Sequence, residues 1–160
     1  MSTETEGDTS LWGRTVREAN EMASELRTDG WEVVVVRAGH AAPLSAEAGE
    51  TDRSGLVYLA PDGVAESLPA IADRGEFGQS AAFRRRVGTD LFLVTRVSDP
   101  ERRLAVLLVG AVDLSQPAAA DLAAAARERG HLRSHVELLD GTHLATFGHD
   151  HPGDFLPEDL

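Results

Sequence analysis

Near the start of the chain, Trp12, Val16, Ala19, Met22, Ala23 and Leu26 recur at three- and four-residue intervals, and Arg14, Arg17, Glu18, Glu21 and Glu25 fall largely off that stripe. This period predicts an amphipathic helix over 10–29, capped by Thr9 or Ser10 and stopped at Gly30. The pattern then changes. Trp31-Glu-Val-Val-Val-Val-Arg37 is a dense β-branched run and predicts a strand buried on both faces. From 39 to 55 the residues turn small and polar around Pro43, which predicts a long connection. A short strand is expected over 56–60. A helix broken at Pro69 follows, with Asp62 as its cap, reaching about Arg74.

A further strand is expected over 79–86. The clearest hairpin joins 90–97 to 103–114 through Ser98-Asp99-Pro100-Glu101-Arg102, where Pro suits the second position of a type I turn. Leu104-Ala-Val-Leu-Leu-Val109 has no polar face and belongs at the centre of a sheet. The Ala-rich segment from Pro117 to Gly130 predicts a third helix, capped by Ser115. Two strands, 131–139 and 142–149, flank Asp140-Gly141, a type I′ signal. The order α-β-β-α-β-β-(β)-α-β-β predicts a single α+β domain over 10–150, with a largely antiparallel sheet and about three helices packed on it. Acidic tails are expected over 1–9 and 151–160. The expected core is Val34, Val36, Phe92, Val94, Leu104, Val106 and Leu108, under Trp12, Val16, Ala19, Met22 and Leu26.

Composition narrows the chemistry more than it points to a function. The 160 residues include no Cys and no Lys, so all 15 basic residues other than His are Arg. Schiff-base lysines, phosphate-binding P-loop lysines, thiol nucleophiles, thiolate metal sites and disulfides are therefore excluded. Against 27 Asp and Glu the formal charge is −12. Such a surplus destabilises a compact chain by self-repulsion, and in molar salt, where the Debye length is roughly 3 Å, that repulsion is screened. The expected home is the cytoplasm of a halophile. Thermal stability should accordingly rise steeply between low salt and molar KCl, and a flat or falling melting temperature across that range would refute the salt-adapted reading. The first nine residues lack a basic region and an apolar run, and the longest apolar stretch is 104–112. Neither a signal peptide nor a membrane span is expected, the latter needing about 20 apolar residues.

Five of the six histidines lie in the last stretch: His131, His135, His143, His149 and His151. With Asp140-Gly141 as a two-residue loop, His135 faces Thr146, and His131, Arg133, His135 and Glu137 share one sheet face with Thr146 and Asp150. His143, Ala145, Phe147 and His149 then share the other with Leu132, Val136 and Leu138. His131 and His135 stand about 13 Å apart along a strand, too far for one metal. Only His149 and His151 keep metal-like spacing, and they are the sole metal-ligand candidates; no cofactor is expected. His40, at the exit of the first strand, stands apart. Arg84-Arg85-Arg86 is the only basic run, and its acidic surroundings favour pairing with carboxylates over nucleic-acid binding. Gly78-Gln79-Ser80-Ala81-Ala82 lacks the strand-before, helix-after setting of a nucleophile elbow.

Asp29-Gly30-Trp31-Glu32-Val33 and Phe147-Gly148-His149-Asp150, in an acidic Lys-free chain, resemble a group of small haloarchaeal proteins forming a domain family of unknown function. The resemblance spans 11–155 and implies no activity, cofactor or catalytic residue. The element order is also similar to that of roadblock-type dimerisation domains, which implies another protein, or a second copy of the chain, as partner. The reading is a non-enzymatic binding or interaction domain that engages neither nucleic acid nor membrane. Its alternative is a small hydrolase or metal-dependent enzyme using the C-terminal histidines and acids.

Overall fold

The computed structural model describes residues 3–45, 54–157 and 159. Its elements are α1 (Thr3–Thr28), β1 (Glu32–Leu44), β2 (Gly55–Leu59), a 3-10 turn (Asp62–Val64), α2 (Ser67–Arg74), β3 (Gln79–Val87), β4 (Asp90–Asp99), β5 (Leu104–Asp113), α3 (Pro117–Arg129), β6 (Leu132–Glu137), β7 (His143–His149) and a 3-10 turn (Pro152–Asp154). Among the described residues the strands form one seven-stranded sheet in the order β3-β4-β5-β1-β2-β6-β7. The β1–β5 and β2–β6 pairs are parallel, and the other four neighbours are antiparallel. The protein is a single α+β domain with a mixed, mostly antiparallel sheet.

β5 shows why the central run is apolar on both faces. Leu104, Val106, Leu108 and Val112 point into the main core, while Ala105, Leu107 and Val109 face α1. That main core also takes Tyr58 and Leu56 from β2, Leu68 and Ile71 from α2, and Leu122 and Ala126 from α3. α1 covers the opposite face, with Val16 and Ala19 against Val94 and Val109, and Ala23 against Val33, Ala105 and Leu107. Most of the expected core is buried, but Val34, Phe92, Trp12, Met22 and Leu26 are half-buried. Phe92 follows the parity of Val94 and lies on the α1 side of the sheet, where one helix covers less than the two-sided core does.

Several boundaries differ from the sequence reading for identifiable reasons. α1 begins at Thr3, so Thr9 and Ser10 lie inside the helix and do not cap it. β1 does not stop near Arg37. Its register shifts between Arg37 and Gly39, and it then leaves β5 and pairs with β2 through Ala41–Leu44. One long strand thus serves two halves of the sheet, and much of the expected 39–55 connection is strand; residues 46–53 lie outside the described residues. The second helix is in two pieces, but the break falls before Pro69, which sits in the first turn of α2 where a missing N–H costs little. Gln116, not Ser115, caps α3; the Ser115 hydroxyl donates instead to Asp113.

The C-terminal hairpin carries the most consequential difference. Asp140 does not have the positive φ that a type I′ turn over Asp140-Gly141 requires, whereas Gly141 has φ 90°. The Gly141 N–H donates to the Leu138 carbonyl, and Leu138 pairs with Thr142. Three residues thus close the loop, with glycine at the left-handed position. Near the turn this sets Glu137 opposite His143, and a bulge restores Val136 opposite Ala145 and His135 opposite Thr146. His143 thereby leaves the apolar face assigned to it from sequence and joins the outer one.

Candidate functional site

The two outermost strands of the curled sheet approach each other at His149, near the end of β7. Its ring is 1% exposed. Nδ1 lies 2.7 Å from Ser80 Oγ of β3, and Nε2 lies 2.8 Å from Ser134 Oγ of β6. Phe155 stacks on the ring at a centroid distance of 4.4 Å. Burial lowers the His149 pKa to about 4, so the ring is neutral near pH 7. A neutral imidazole donates through one nitrogen and accepts through the other, and a serine hydroxyl answers either role. Deeper in the core the hydroxyls of Tyr58 and Thr95 find no hydrogen-bond partner among the described residues. Tyr58 lies toward Thr95 and Ser134 without closing a bond to either, and burial raises its pKa to about 12.

A serine beside a histidine invites comparison with a catalytic dyad, and the setting argues against one. A general base works best with a pKa near the operating pH, and the group orienting it is normally one that stabilises its charged form. Here the base is held far below neutrality and its second nitrogen meets a hydroxyl. As the sequence indicated, Ser80 is followed by a strand, with α2 ending upstream at Arg74. The arrangement reads as a clasp between sheet edges. Chain after β7 reinforces it, since Arg84 donates to the Gly153 carbonyl at 3.1 Å and Arg86 pairs with Asp159 at 2.9 Å. Arg85 pairs with Glu18 at 3.1 Å, so two of the three arginines in the basic run engage carboxylates.

The metal candidates His149 and His151 both line a concavity of about 290 Å³ with Ser80, Asp150 and Asp154. His149 is buried between two serines and His151 is exposed. No group of three His, Asp or Glu residues suited to a metal ion is found among the described residues. His40 is exposed on β1, opposite Ala111 of β5.

The outer side of β6 brings together what the sequence only partly indicated. Arg129 ends α3, Gly130 turns the chain at φ 68°, and alternation along the following residues places His131 and Arg133 on one face. Arg129, His131 and Arg133 line one concavity of about 330 Å³, with Ser54, Leu122, Ala126 and Leu132. Arg129 donates to Ser54 Oγ at 3.0 Å, and His131 Nδ1 lies 4.0 Å from Asp150. Arginine ion pairs among the described residues involve Arg74, Arg85, Arg86 and Arg102, and neither Arg129 nor Arg133. Two guanidinium charges therefore face this concavity without a carboxylate among the described residues to neutralise them.

Beside it lies a second concavity of about 290 Å³, which Arg133 also lines, with His135, Glu137, His143 and Thr146. Gly55 makes the geometry here. A Cβ at this position would sit 2.3 Å from the Arg133 carbonyl, so only glycine lets the start of β2 press against β6. That contact sets the Ser54 carbonyl 3.1 Å from His135 Nε2. A carbonyl only accepts, so Nε2 carries the proton, and burial lowers the His135 pKa and keeps the ring neutral. Nδ1 then accepts from the Thr146 hydroxyl at 2.9 Å, and that oxygen accepts from His143 Nε2 at 2.7 Å. In this relay every proton has an assigned place.

Residues 1–157 match the model of a family of unknown function, DUF7529. The chain belongs to that family. No curated protein and no solved structure matches it. Family membership brings no activity with it, so the reading of the two concavities rests on their own chemistry. Among the described residues no helix is long and apolar enough to cross a membrane.

Proposed function

We propose that the protein is a non-enzymatic binding domain for an anionic small molecule, seated between the end of α3 and the start of β6. One observation carries the reading: in a chain with 27 acidic residues and 15 arginines, Arg129 and Arg133 face one concavity without an ion-pair partner among the described residues. Guanidinium groups hold phosphate or carboxylate through paired hydrogen bonds, which are stronger than neutral ones. Arg133 is half-buried at the concavity, so its contact with an anion is less screened by salt than that of a fully exposed arginine. That property suits the salt-rich cytoplasm that the acidic surface favours.

The test is calorimetric titration of inorganic phosphate into the protein in molar KCl. Hydrogen bonds to charged groups contribute about 1.5–3 kcal/mol each, so Arg133→Gln should weaken binding by roughly ten- to a hundredfold. Arg127→Gln, on the same helix but outside the concavity, should leave affinity unchanged. Equal loss in both variants would mean that general charge, and not this site, holds the anion.

A further inference from the structure

The reading of an anion site leaves the neighbouring concavity unexplained, and its hydrogen-bonding inventory narrows the ligand. Thr146 has one proton, given to His135, and one of its two lone pairs receives the His143 Nε2–H. Its second lone pair remains an acceptor. The Nε2–H assignment leaves His143 Nδ1 as a second hydrogen-bonding atom for a ligand, which a hydroxyl can answer as donor or acceptor. Glu137 adds a carboxylate, which takes several hydrogen bonds at once. Arg133 lines both concavities, so donors of the protein gather at one end and acceptors at the other.

We infer that the ligand is a phosphorylated polyol, its phosphate between Arg129 and Arg133 and its hydroxyls against Glu137, His143 and Thr146. The inference rests on the anion-site reading and goes beyond it by naming the ligand class. Hydroxyls suit this end, since each can donate to Thr146 or Glu137 and can answer His143 Nδ1 in either role. Concavities of about 330 and 290 Å³ together fall in the range of small-molecule sites.

The experiment titrates inorganic phosphate, glycerol 3-phosphate, ribose 5-phosphate and glucose 6-phosphate into wild type, Thr146→Val and Glu137→Gln in molar KCl, with a thermal melt of each variant. At least one of the three esters should bind wild type ten times more tightly than inorganic phosphate. Thr146→Val should reduce that advantage at least threefold and leave inorganic phosphate unaffected, and Glu137→Gln gives the same reading should Thr146→Val not fold. Esters no tighter than inorganic phosphate, or an advantage untouched in the folded variants, would overturn the polyol inference and leave the anion site standing. If neither phosphate nor any ester binds wild type, the anion-site reading itself fails.

Discussion

Leu108→Ala should destabilise the protein by about 2–5 kcal/mol, the lost transfer energy and the cavity adding together. Leu108 is 0% exposed on β5, paired with Val36 on one side and Thr95 on the other. Its neighbours are held by a strand on each flank and by α2 and α3 on the core face, so the site has little freedom to collapse. Urea unfolding of wild type and variant measures the effect. A change near zero would mean that the centre of the sheet is not where β5 lies.

Acidification should unfold the protein through His149. Its pKa falls from 6.5 to about 4 on folding. Between those values the unfolded chain binds a proton that the folded chain refuses, so stability rises with pH across the window. The contribution is fully present above pH 6.5 and is lost as pH falls toward 4. The whole loss amounts to about 3 kcal/mol at 1.36 kcal/mol per unit. His149→Gln retains a donor and an acceptor for Ser80 and Ser134 and removes the titration. Urea midpoints at pH 7.5 and pH 4.5 should therefore move much less in His149→Gln than in wild type. An equal shift in both would assign the acid sensitivity to other groups.

What could be read from the sequence was set by local physics. The apolar faces of β5, the left-handed glycines after α1 and α3, and the outer-face grouping of His131, Arg133, His135, Glu137 and Thr146 all follow from periodicity and turn chemistry. The reading failed where partners distant in sequence decide. β1 continues past Gly39 because β2 offers a new edge, which Gly39-His40-Ala-Ala-Pro43 does not announce. His143 changed faces because Asp140-Gly141 closes a three-residue loop, and the dipeptide alone does not fix the turn type. Ser80 and Ser134 as partners of His149 depend on the curling of the whole sheet.

The basic concavity had a local signal that was missed. Arg129-Gly-His-Leu-Arg133 places three basic side chains across one helix-to-strand turn, a sparser cluster in sequence than Arg84-Arg85-Arg86. That run is tied down by Glu18, Asp159 and the Gly153 carbonyl. Whether an arginine is engaged by neighbouring carboxylates, and not how many stand in a row, marks the stronger candidate for a ligand.

The most direct test of the anion site is the ¹H–¹⁵N spectrum of the arginine side chains during a phosphate titration in molar KCl. Signals of Arg129 and Arg133, assigned by their Gln variants, should shift together and saturate, while those of Arg84, Arg85 and Arg86 stay in place. Shifts spread evenly over the arginines, or none at Arg129 and Arg133, would contradict the account.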